Sequence, residues 1–285
     1  MLELHCHTTY SDGTLTPAEL VKKAAQTGVK VLAITDHDTV SGWDEAIATA
    51  INYEIEIVPG IELSTVHNDR SLHILGFYPN PDLIRPALQE RLAGRKRRAA
   101  QMVASLAALG YHIEMPELGA EMAPGRPHIA AALVRAGIVK SSQEAFDRWL
   151  GDDKPAYVHY EKFSIQEGVS LLRECGAVPV WAHPCLFRGG VISEVLKELV
   201  EAGLMGVEVY HPNQNSREQK MLLELCAEYG LLVTGGSDYH GPNLESREED
   251  RSLNHLHLPI ELLTPVKTAA ATLYQDLRMK GFQDF

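Results

Sequence analysis

The sequence predicts an α/β barrel carrying a helical insertion, and three observations predict it. Short apolar runs recur along the chain, and most of them empty into a histidine or a carboxylate. A length of 285 residues with 45% hydrophobic content can bury one sizeable barrel core. A middle stretch abandons the strand-then-helix alternation for helical periodicity.

The first run, Leu2-Glu3-Leu4-His5-Cys6-His7, ends in the turn signal Ser11-Asp12-Gly13. Side chains at i and i+2 of a strand share a face, so His5 and His7 point one way and Cys6 the other. Val31-Leu32-Ala33-Ile34 reads as a buried strand and empties into Thr35-Asp36-His37-Asp38-Thr39. Residues 55–58 run into Pro59-Gly60-Ile61-Glu62, and His73 sits inside the alternating segment at residues 71–77. Val178-Pro179-Val180-Trp181 leads to Ala182-His183-Pro184, and Gly206-Val207-Glu208-Val209-Tyr210 leads to His211. The last run, at residues 231–235, ends in Gly236-Ser237-Asp238-Tyr239-His240, where Asp238 and His240 repeat the i, i+2 geometry.

A lone histidine at a strand end is ordinarily a solvated loop residue. Here the same chemical types recur at the same structural place, and a parallel barrel collects its strand ends on one face, where active sites sit. Imidazoles and carboxylates gathered there make a metal site. His67, His112, His159, His255 and His257 lack the pattern and read as structural or surface residues.

Residues 85–110 have a helical apolar face through Leu88, Leu92, Met102, Val103, Leu106 and Leu109, with Gly110 as terminator. Further helices are expected near residues 128–136 and 143–150. Residues 85–162 are therefore expected to form a small helical insertion over the C-terminal face of the barrel, as a substrate cap. Residues 1–84 and 163–285 would form the barrel. The insertion holds 12 basic and 9 acidic residues, a balance of +3, whereas the remainder holds 14 and 29, a balance of −15.

A basic cap facing a metal cluster suits an anionic substrate. Arg95-Lys96-Arg97-Arg98 is either part of that anion-binding face or the solvated side of a helix. Arg126, just before a predicted helix, is the better phosphate candidate, and His128 is either a substrate contact or a helix-start residue. His211, outside the ligand pattern, suits either a general acid or a phosphate ligand. Glu208 is either part of the site or the partner of an arginine or lysine at the barrel mouth.

No stretch is long and apolar enough to span a bilayer, and a candidate ligand at position five argues against a leader peptide. Cys6, Cys175, Cys185 and Cys226 show no CxxC spacing and are expected to be reduced thiols. The expectation is a cytoplasmic enzyme. There is no P-loop, GxSxG elbow or cysteine nucleophile motif, so the chemistry of those classes is not expected. Imidazole plus carboxylate favours Mn²⁺ first, then Zn²⁺ or Fe.

These residues carry a resemblance to the polymerase and histidinol phosphatase (PHP) family. It rests on His5-Cys6-His7 with Ser11-Asp12-Gly13, Thr35-Asp36-His37-Asp38-Thr39, Gly60-Ile61-Glu62, His73, Ala182-His183-Pro184 and Gly236-Ser237-Asp238-Tyr239-His240. The resemblance implies a distorted barrel of seven β/α units and a centre of three divalent metal ions. One ion would take His5, His7, Glu62 and Asp238, a second Glu62, His73 and His183, and a third Asp12, His37 and His240. Asp12 stands where some relatives have histidine.

The branch most similar to this chain implies removal of the 3′-phosphate from nucleoside 3′,5′-bisphosphates by hydroxide generated at the metals, with Asp12 and His211 at the reacting centre. Trimming of short 5′-phosphorylated oligonucleotides and histidinol phosphate hydrolysis are the alternatives, with a non-catalytic module as the competing class. A net charge of −12 and 7% aromatic content give no basic, aromatic-lined track for a long duplex.

Overall fold

The computed structural model describes residues 1–115, 118–242 and 252–279; positions 116–117, 243–251 and 280–285 of the expected insertion and barrel lie outside them. Seven strands form one sheet in chain order: β1 (Leu2–Glu3), β2 (Val31–Ile34), β3 (Glu56–His67), β4 (Arg70–Phe77), β5 (Val178–Trp181), β6 (Gly206–Tyr210) and β7 (Leu232–Gly235). The sheet nearly closes on itself. The chain after β1 bridges the chain after β7, with the His7 amide donating to Tyr239 O at 2.9 Å.

Helices α1 (Pro17–Gln26) and α2 (Trp43–Ala50) follow β1 and β2, and α7 (Ile165–Glu174), α8 (Ile192–Ala202) and α9 (Ser216–Tyr229) alternate with β5 to β7. Their starts are written locally. Thr16 with Glu19, Ser164 with Glu167 and Asn215 with Glu218 each close a reciprocal capping box. Strand alternation then sorts the core. Leu32, Ile34, Ile61, Leu63, Ile74, Trp181 and Val207 pack outward on the helices. Val31, Ala33, Val58, Leu75, Phe77, Val178 and Val180 pack with Val266 and Leu273 of α10 (Leu263–Met279), which covers the barrel end opposite the site.

One expectation is corrected. The strands are not all parallel, because β4 runs antiparallel to both β3 and β5. β3 and β4 are joined by the two-residue turn Asn68-Asp69, both at positive φ, as a tight hairpin requires, and no crossover helix intervenes. His73 therefore reaches the site from within a strand rather than from its end.

Between β4 and β5 lie α3 (Pro81–Ala87), α4 (Gln89–Ala108), α5 (Arg126–Arg135) and α6 (Ser142–Ala145), which runs into a π-helical turn at Phe146–Leu150. Met102, Leu106, Ile129, Leu133, Trp149 and Leu150 give α4, α5 and the π-helical turn a hydrophobic cluster of their own, whereas Ile84 of α3 packs into the core around the barrel. Among the described residues no helix is long and apolar enough to cross a membrane. All four cysteines are free, and three are buried.

Candidate metal centre

The nine residues expected as ligands meet at one end of the barrel, with the Glu62 carboxylate at the middle. Its Oε1 lies 2.8 Å from His73 Nδ1 and 2.9 Å from His183 Nε2. Its Oε2 lies 2.9 Å from His37 Nδ1, 3.3 Å from His7 Nε2 and 3.4 Å from His5 Nε2. Asp238 Oδ1 adds 3.1 Å to His7 Nε2 and 3.3 Å to His5 Nε2. Asp12 faces His240 Nε2 at 3.3 Å and His37 Nε2 at 3.7 Å.

Among the described residues three groups have donor atoms close enough to hold an ion: His5, His7, Glu62 and Asp238; His7, Asp12, His37 and His240; and His37, Glu62 and His73. The first matches the expected set. In the second His7 joins the expected trio, and in the third His37 stands where His183 was expected, although His183 touches the same Glu62 oxygen.

The donor set fits divalent cations. His5 Nε2, His7 Nε2, His37 Nδ1, Asp12 Oδ1 and Glu62 Oε2 are all buried without a hydrogen-bond partner, a costly state for five converging polar atoms. Burial opposes charge on His7, but the facing carboxylates of Asp238 and Glu62 outweigh it and raise its pKa to about 10. Burial prevails at His37, which falls to about 4. Asp12, Glu62 and Asp238 stay well below the usual carboxylate range, because their imidazole neighbours overcome the cost of burial. His183 and Asp238 occupy the left-handed backbone region, at φ 33° and 52°, strain that non-glycine residues bear at functional sites.

The ring proton of several histidines follows from the second nitrogen. His240 Nδ1 donates to Asp238 O at 2.8 Å, leaving Nε2 free to ligate. Asp36 accepts the Ser11 hydroxyl proton at 2.6 Å, so Ser11 Oγ can only accept from His7 Nδ1, at 3.3 Å. His211 is the reverse. Its Nδ1 accepts the Asn213 amide at 3.1 Å, so the neutral ring carries its proton on Nε2, 3.5 Å from Asp238 Oδ2. His128 Nδ1 likewise accepts the Gly125 amide at 3.0 Å, which makes it a helix-start residue that also keeps an Nε2 donor.

Of the two readings of Glu208 the structure takes the first, since among the described residues it meets no arginine or lysine. Its Oε1 takes His5 Nδ1 at 2.9 Å and its Oε2 the His183 amide at 2.8 Å. The 95–98 run divides by face. Lys96 and Arg97 turn outward, Arg97 to Glu90 and Glu161, while Arg95 and Arg98 are buried. Arg95 Nε donates to Asp38 at 2.6 Å and its Nη2 to Ser64 Oγ at 2.7 Å. Arg98 Nε donates to Val158 O at 2.7 Å, with its guanidinium 3.7 Å from the Tyr160 ring centroid. Among the described residues no carboxylate pairs with Arg98, and its Nη2 is buried without a partner. Arg126 pairs with Asp152 at 2.9 Å. The run hides this split because it depends on which helix face meets Tyr157 and Tyr160.

A barrel mouth that gathers six imidazoles and three carboxylates, bordered by arginines, defines a metal-dependent hydrolase of anionic substrates. A model of the PHP domain matches residues 3–119. A 5′-3′ exoribonuclease from Haemophilus influenzae is 36% identical over 250 residues, 84% of this chain and 90% of that protein. A 3′,5′-nucleoside bisphosphate phosphatase from Chromobacterium violaceum is 32% identical over 260 residues, 87% of this chain and 90% of that protein. A solved structure from Bifidobacterium adolescentis, classed as a metal-dependent phosphoesterase, superposes with a TM-score of 0.82 at 31% identity, over 94% of this chain and 96% of that one. The chain belongs to the PHP family and is a metal-dependent phosphoesterase.

Proposed function

We propose that the protein hydrolyses the 3′-phosphate of nucleoside 3′,5′-bisphosphates, with residues 85–162 as the cap that holds the second phosphate. The observation that carries this reading is Arg98, a buried cation with no acidic partner among the described residues and a free Nη2 donor. A buried guanidinium without a counter-charge is expensive unless a bound anion supplies one. Arg126 and Arg95 lie near enough for their charges to act on it, and Asp12 acts on Arg95 in turn, so the arginine cluster borders the metal centre. Arg126 would exchange its part-exposed Asp152 partner for phosphate.

The nine residues would hold three divalent ions, Mn²⁺ first among them. When bound, such ions polarise phosphoryl oxygens, activate water and stabilise the leaving oxygen. The chain's own residues supply orientation. His211 and His128 each offer an Nε2–H to a substrate oxygen, and their accepting Nδ1 atoms favour that role over a doubly protonated acid. The arginines hold the far phosphate and favour a dianion over the cationic amine of histidinol phosphate.

Trimming of short 5′-phosphorylated oligonucleotides is the second reading, supported by the exoribonuclease relative and by the same arginines as a 5′-phosphate seat. The test is phosphate release by Mn²⁺-loaded protein from adenosine 3′,5′-bisphosphate, 3′-AMP, 5′-AMP and histidinol phosphate, beside mononucleotide release from a 5′-phosphorylated trinucleotide. A leading bisphosphate with 5′-AMP as product supports the first reading. An inert bisphosphate beside a cleaved oligonucleotide replaces it with the second.

A further inference from the structure

Behind the ligand shell, among the described residues, lie four carboxylates that none of the three groups includes: Glu3, Asp36, Asp38 and Glu208, all essentially inaccessible to solvent. Glu3 accepts from Ser237 N, Ser237 Oγ and Asn254 N, Asp36 is linked by hydrogen bonds to His7 through Ser11, and Asp38 accepts from Ser64 N and Arg95 Nε. Glu208 alone touches two of the nine directly. We propose that Glu208 is a positioning residue that holds His5 and His183 in ligating geometry at once, an inference that rests on reading those two histidines as ligands.

A carboxylate can only accept hydrogen bonds. At 2.9 Å from Glu208 Oε1, His5 Nδ1 must carry the ring proton, which leaves the Nε2 lone pair facing Glu62 and Asp238. This is the carboxylate–histidine pairing that fixes tautomer and ring orientation in metal sites. The other oxygen takes the His183 amide at 2.8 Å, at a residue whose φ of 33° needs external restraint. The origin of Glu208 explains the double reach. It faces inward from β6, the neighbour of β5, whose end delivers His183.

Glutamine is the discriminating replacement, because it has the same shape but one acceptor and one donor. If its oxygen serves His5, its NH₂ meets the His183 amide; if it serves His183, its NH₂ forces the His5 proton onto Nε2, away from ligation. Either orientation loses one histidine.

The experiment titrates Mn²⁺ into full-length wild type, Glu208→Gln and His5→Ala by calorimetry, with thermal unfolding of each in EDTA. Glu208→Gln is expected to bind Mn²⁺ about 10- to 100-fold more weakly, with an EDTA midpoint close to wild type. Unchanged affinity, or affinity and EDTA midpoint falling together, overturns the positioning role. If His5→Ala also leaves binding unchanged, the ligand reading has failed instead. A measurement on wild type covers the case of a misfolded variant. In Zn²⁺-loaded, ¹⁵N-histidine-labelled protein the His5 Nδ1–H is expected to exchange slowly, and fast exchange overturns the proposal.

Discussion

Arg98→Met tests the second-phosphate seat most directly. The free Nη2 of Arg98 would give a phosphate oxygen one charge-assisted hydrogen bond, worth about 1.5–3 kcal/mol. At about 1.4 kcal/mol per tenfold, KM for adenosine 3′,5′-bisphosphate rises roughly 10- to 100-fold. An aryl phosphate has no second phosphate to lose, so its KM changes less than about twofold on the same reasoning. Stability moves little, because two effects oppose. Methionine gives up the Val158 hydrogen bond and the Tyr160 stacking, about 1 kcal/mol each. It also removes a guanidinium that burial, with the repulsion of Arg126 and Arg95, already holds below its usual pKa. A net change within about 1 kcal/mol leaves Tm within about 4 °C. Initial rates on both substrates and calorimetric unfolding decide the matter. Equal losses on the two substrates, or a large fall in Tm with both KM values intact, would refute the seat and make Arg98 a structural residue.

Asp12→Ala should remove one metal per chain by elemental analysis and lower kcat at least about 100-fold, while the circular dichroism of the barrel is retained; unchanged turnover with two metals bound would sink the three-metal reading. Arg126→Ala should raise KM for the bisphosphate by about 10-fold and leave an aryl phosphate nearly unaffected, whereas a common factor on both substrates would remove it from second-phosphate recognition. Asp38→Asn strands the buried Arg95 charge and should cost about 3–5 kcal/mol in denaturant unfolding. The pH dependence of that loss has a definite sign. Burial alone would raise the Asp38 pKa, but the charges of Arg95 and Arg91 hold it below the usual 3.8. A depressed folded value means the pair's contribution is present above that pH and lost as pH falls through the lower one, so the gap to wild type should stay constant down to about pH 4 and then close. A gap that narrows between pH 8 and 5 would contradict it.

The local codes were legible because they act over a few residues. Most strands were readable from a short apolar run and its exit histidine or carboxylate, β4 from the alternation around His73, and helix starts were written in pairs such as Thr16 with Glu19. The convergence of most of the nine side chains was also foreseeable, since parallel strands of one sheet in chain order deliver their ends to one place, whereas Glu62 and His73 join them from within β3 and β4. The sequence by itself determined the chemistry at hand, imidazole and carboxylate without thiolate, and the α/β frame that gathers it. Only the tertiary structure decided the direction of β4, because strand polarity depends on a two-residue turn rather than on composition. It decided as well that Arg95 and Arg98 turn inward while Lys96 and Arg97 do not, and that Glu208 serves two histidines instead of an arginine. The physical reason is common to all of these. A charged side chain takes its partner from whatever packing brings within about 3 Å, and contacts such as His5 to Glu208, 203 residues apart in the chain, leave no trace in local sequence.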